Sequence, residues 1–133
     1  MATLSNNGIL TFSRGDSISF PLFINAGTKT SPMRYTLHEN ENLFVGIMEP
    51  NMAFEAAIVK QKYTKDDLNE DGDVVFTLSS EVTQKLRPGK YYYEAKLIIY
   101  NEEIPDKIEK VITVIPRKLL YIEGGIIGFT PCL

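Results

Sequence analysis

The chain has 133 residues, of which 44% are hydrophobic and 23% charged; this is enough for one domain with a proper core and the balance of an ordinary soluble globular protein. A net charge of −3 gives no basic face for nucleic acid, and the apolar runs fall far short of the roughly 20 residues that span a bilayer. The single cysteine, Cys132, excludes an internal disulfide, and the first residues lack a signal peptide's basic start and apolar stretch, so synthesis in a cytoplasm is expected.

Taken in order, the elements are almost all strands. Over 16–24, Ile18, Phe20, Leu22 and Ile24 alternate with mostly small or polar residues, the period of a half-buried strand. Pro21 cannot donate to a ladder, which places this strand at an edge or a bulge. The same alternation predicts strands over 33–37, 43–47 and 74–78. A helical turn is expected over 64–70, capped by Thr64 with Asp67 three residues on, and another over 79–86, capped by Ser79 or Ser80. The longest strand is 90–100, with Tyr91, Tyr93, Ala95, Leu97 and Ile99 on one face and Tyr92, Glu94, Lys96, Ile98 and Tyr100 on the other. Strands over 107–115 and 118–122 complete the set. Turn chemistry separates them at 25–27, 49–51, 71–72, 87–89 and 104–106.

Seven or eight short strands with closely spaced turns predict an all-β, immunoglobulin-like sandwich of two sheets. Its expected bounds are 9–122, with an N-terminal arm at 1–8 and a Gly-rich apolar tail at 123–133. The Cys-Trp-Cys core of antibody domains is absent, since the chain has no Trp. LRPGKYYY (86–93) suits such a sandwich, because a tyrosine entering the strand there can bury its ring and return its hydroxyl to the backbone. Tyrosines that merely pack would give the same sequence.

Few residues suggest chemistry. Asp67-x-Asn69-x-Asp71-Gly72 spells the first half of a calcium loop. Positions 7, 9 and 12 fall on Asp73, Val75 and Leu78, so the closing bidentate carboxylate is missing and a strand follows where a helix should. A corner without metal is expected. His38, the one histidine, stands in a polar turn and reads as a surface residue. Arg14-Gly15-Asp16 spells an integrin-read tripeptide, but it falls where the chain turns into a strand, and coincidence is the expected reading. No zinc spacing, phosphate-cradling loop or nucleophile elbow is present, and no pair of carboxylates is placed as acid and base. No enzyme, cofactor or metal is expected.

The tail is more informative. Ile126, Ile127, Phe129 and Leu133 form an apolar set that water should not keep exposed, so they are expected to cover the sandwich or dock on a neighbouring subunit.

The segments FSRGDSISF (12–20), LFVGIMEPN (43–51), NEDGDVVF (69–76), LRPGKYYYE (86–94) and LLYI (119–122), in this order, resemble small structural proteins of tailed bacteriophages. They are similar to the immunoglobulin-like N-terminal module of phage upper-baseplate proteins, over roughly 9–122. The resemblance implies a non-enzymatic virion component, present in several copies or as a homo-oligomer, that contacts other virion proteins on head, neck or baseplate. Upper-baseplate proteins continue into a second, receptor-carrying module, whereas this sequence stops at Leu133, so a decoration, adaptor or fibre-anchoring role is expected. The alternative is a carbohydrate- or host-receptor-binding module, for which Tyr63, Tyr92 or Tyr100 would supply a stacking platform.

Overall fold

In the computed structural model, which describes residues 3–5, 8–22, 24 and 35–124, the long alternating run becomes the centre of the molecule. The strands are β1 (Thr3–Leu4), β2 (Leu10–Ser13), β3 (Ile18–Leu22), β4 (Glu41–Met48), β5 (Val59–Tyr63), β6 (Val74–Leu78), β7 (Gly89–Tyr100) and β8 (Ile108–Glu123). They form a six-stranded sheet in the order β1-β2-β8-β7-β4-β5 and a two-stranded sheet of β3 and β6. β2 runs parallel to β8, while every other pairing is antiparallel. The architecture is an all-β sandwich of two sheets, as the sequence implies.

Period-two alternation builds the core between the two sheets. β7 contributes Tyr91, Tyr93, Ala95 and Leu97, all buried, and β4 contributes Leu43, Val45 and Ile47. β3 and β6 face them with Ile18, Leu22, Val74, Phe76 and Leu78, while Leu10 and Phe12 of β2 and Leu120 and Ile122 of β8 close one side. Each buried Val, Leu, Ile or Phe among them contributes roughly 1.5 to 3 kcal/mol relative to exposure.

Both predicted helical turns are present and capped locally. Thr64 caps a 3-10 turn (Lys65–Asp67) in a reciprocal capping box with Asp67, and Ser79 caps α1 (Ser80–Gln84) by accepting from the Val82 amide. The tyrosine at the start of β7 does more than pack: the Tyr91 hydroxyl donates to the Arg87 carbonyl at 2.7 Å. This is the contact that a tyrosine corner makes.

Three expectations need correction. Residues 35–37 belong to no strand: the Tyr35 amide bonds to the Ile24 carbonyl, and the chain then turns through His38 into β4, while 33–34 lie outside the described residues. The strands expected at 107–115 and 118–122 are one strand, β8. Pro116 does not end it, because the register slips between Tyr93 (paired with Lys118) and Ala95 (paired with Ile115), and this bulge accommodates a residue with no N–H. β1, β2, β5 and a 3-10 turn (Phe54–Ala56) are additional to the expected elements.

Candidate functional site

The outward face of the large sheet is divided into two regions. In the first, the loop between β4 and β5 folds back over the sheet and lays Phe54 on Gly46: a Cβ at Gly46 would lie 2.9 Å from the Phe54 ring. The ammonium groups of Lys60 and Lys96 stand 5.1 and 5.5 Å from the centre of that ring. Beside it, at the β8 bulge, Glu94 is buried between Arg117 (Nη2 to Oε1, 3.3 Å) and Lys96 (Nζ to Oε2, 3.3 Å). The Arg117 guanidinium also lies over the Tyr92 ring, 5.9 Å from its centre, with Lys90 near the same ring. Two cations thus flank the one carboxylate, and two more stand at the neighbouring rings.

The second region lies at the β7–β8 hairpin and is apolar. Ile98 pairs with Val111 and Tyr100 with Ile108, so all four share the outward face. A slip at Glu109 carries the face across the expected alternation, and Ile108 and Val111 are 52% and 53% exposed. Ile104, in the hairpin loop, is exposed as well. Next to this patch is an open groove of about 620 Å³ lined by Glu39, Asn40, Asn42, Tyr100, Asn101 and Asp106, among others.

The residues with chemical potential are engaged in the fold. Glu41, buried at the start of β4, accepts from the Tyr35 hydroxyl and from the His38 amide at 2.8 Å, and the His38 ring lies 3.0 Å away. Burial alone would raise the Glu41 carboxyl pKa; the hydrogen bonds from Tyr35 and His38 together outweigh it and hold the group below its ordinary value. Burial, then the bond and charge of Glu41, push the Tyr35 hydroxyl up. His38 itself is on the surface, its side chain 69% exposed.

At the calcium-like sequence, Asp67 accepts from the Thr64 amide at 2.7 Å, and the Asn69 side chain accepts from the amides of Asp71 and Asp73, both at 2.9 Å. With Gly72 at φ +82°, these bonds make a side-chain-closed turn that feeds β6. Among the described residues no group of three or more His, Cys, Asp or Glu is gathered to hold a metal. Arg14-Gly15-Asp16 is likewise a turn, fastened to α1 by Thr83: its hydroxyl accepts from the Gly15 amide at 3.1 Å and donates to the Asp16 carbonyl at 2.7 Å.

Of the tyrosines expected to present a ring, Tyr63 is buried with its hydroxyl accepting from the Thr77 amide, and Tyr92 is half-covered by its cations. Tyr100 is half-exposed in the groove wall. Ile126, Ile127, Phe129 and Leu133 lie outside the described residues. Phe54, Ile104, Ile108 and Val111 are site residues that the sequence did not announce. The three-residue spacing of Ile108 and Val111 across Glu109-Lys110 was the available signal, since it breaks the period of two. No helix among the described residues is long and apolar enough to cross a membrane.

Comparison with known proteins returns no match: no family model, no curated protein and no solved structure is significantly similar to this chain.

Proposed function

We propose that this chain is a non-enzymatic structural protein of a bacteriophage virion, made in the host cytoplasm and acting through contacts with other virion proteins on head, neck or baseplate. The observation that carries the reading is the apolar outward patch of Ile98, Tyr100, Ile108 and Val111 on a two-strand support. Apolar groups fixed on a sheet and rimmed by polar residues suit a protein partner. The resemblance of the segments from 12 to 122 to phage baseplate modules supplies the setting. The engagement of Glu41, Asp67 and Asn69 as caps supports a scaffold rather than a catalyst.

The test is electron microscopy of particles labelled through this protein, with a Val111→Asp variant alongside. Label at a fixed position on the particle, lost for a variant that stays folded, supports the reading; absence of wild-type label from purified particles overturns it.

A second reading is favoured by the groove at Tyr100. Its Asn, Asp and Glu side chains beside an aromatic ring are groups that bind sugar hydroxyls and stack on a pyranose face. A glycan array read with Tyr100→Ala as control decides it.

A further inference from the structure

The large sheet carries one long open edge. β8 is paired with β7 from Ile108 to Ile122, but β2 covers its other side only from Leu120 to Glu123. Among the described residues nothing pairs with that side over 108–115. The remaining edges are blunted. β5 presents exposed Lys60 and Lys62, β3 contains Pro21, and β1 has two residues. β6 is capped by the Leu68–Val74 bridge and by the Tyr63 hydroxyl on the Thr77 amide. Uncovered backbone donors and acceptors on a strand edge form a template for another strand.

We propose that the open edge of β8 pairs antiparallel with the same edge of a second copy, across a two-fold axis between Glu109 and Lys110. The sequence of the edge is self-complementary in that register. Glu109 of each copy stands opposite Lys110 of the other, and Ile108 stands opposite Val111. The axis repeats both pairs, giving two opposite-charge pairs and two apolar pairs. The slip at Glu109 is what makes this fit, because it puts Ile108 and Val111 on the same face, as cross-strand partners must be. In this register the hairpin at 101–107 bounds the pairing at both ends, because Val111 of each copy already stands opposite Ile108, where β8 of the other begins. The inference rests on the reading above only in taking this end of the sheet as a contact surface, and its test needs no particle.

Sedimentation of the full chain over a wide concentration range should show a reversible dimer. Glu109→Lys and Lys110→Glu, each alone, should weaken it at least tenfold, since each places two like charges opposite one another. Mixing the two variants should restore a heterodimer. Glu109 also contacts Asn101 within its own chain, so rescue by mixing is the decisive result, because a hairpin defect would not be rescued by a partner. As a second measurement, Ile108→Cys and Val111→Cys, both in a Cys132→Ser background, should form a disulfide when mixed and oxidised, and neither should alone. A monomer at all concentrations overturns the proposal while leaving the virion reading intact, whether the edge amides are protected from hydrogen exchange or not. A dimer indifferent to both charge variants overturns it equally.

Discussion

Tyr91 ties the turn before β7 to the strand itself: its ring is buried, and its hydroxyl reaches the Arg87 carbonyl four residues upstream, at 2.7 Å. Tyr91→Phe keeps the ring and removes the tether, leaving the carbonyl short of a partner, and should destabilise the domain by about 1 to 3 kcal/mol. Urea denaturation measures this, and an unchanged midpoint would mean that the corner holds nothing.

The two faces of β7 should respond differently to truncation. Leu97 is buried against both sheets, whereas Lys96 points outward to Thr113 and the Phe54 ring. Leu97→Ala should cost about 2 to 5 kcal/mol. Lys96→Ala should cost under about 1 kcal/mol, as a partly exposed ion pair does. Equal losses by thermal denaturation would contradict the assignment of faces.

Gly46 and Phe54 should be coupled. Any Cβ at Gly46 meets the Phe54 ring at 2.9 Å and the Ala57 methyl at 3.2 Å. Gly46→Val should therefore lift the loop and destabilise by about 1 to 3 kcal/mol. In a Phe54→Ala background the same change should be much less harmful, and a double-mutant cycle reads the difference. Additive effects would place the clash elsewhere.

Glu41 makes stability depend on acid. Its folded-state pKa lies below the ordinary value, so its contribution is complete above the unfolded carboxyl pKa of about 4.3 and is lost as pH falls through the lower folded value. Stability measured from pH 6 down to pH 2 should fall less steeply in Glu41→Gln than in the wild type. Parallel slopes would assign the acid limb to other carboxylates.

The turn at Asn69 should be indifferent to calcium. Its side-chain oxygen already accepts two amides, and Asp67 already caps Thr64. Adding calcium in millimolar excess should leave Tm unchanged, since only a ligand of the native state raises it. Asn69→Ala should lower Tm with or without calcium, at a cost of about 1 to 2 kcal/mol. A calcium-dependent rise in Tm would restore the metal reading.

What was legible in the sequence was local. Thr64 and Ser79 announce their turns because a cap needs only the next three residues, and β7 announces its faces because alternation sets them. What was not legible depends on distant partners. β5 reads as a polar stretch, Val-Lys-Gln-Lys-Tyr, until β4 pairs with it, and β2 gains its identity from β8, more than a hundred residues later. Residues 107–115 and 118–122 read as two strands because nothing beside them in sequence reveals that the register of β7 yields at Glu94. The same slip type at Glu109 hid the apolar patch, since a strict period of two assigns Ile108 and Val111 to opposite faces. Phe54 on Gly46 left no trace at all, because a glycine in a strand does not say which ring will cover it.

The parallel pairing of β2 with β8 also governs how the domain bears tension. Because the two strands run the same way, a pull on the chain before Leu10 and after Glu123 slides one strand along the other, and all four pairs, Leu10–Leu120 through Ser13–Glu123, are sheared together. β1, antiparallel to β2, is instead peeled one pair at a time. A chain pulled from both sides of this pairing would give up Thr3 and Leu4 to a small force and then resist as a clamp.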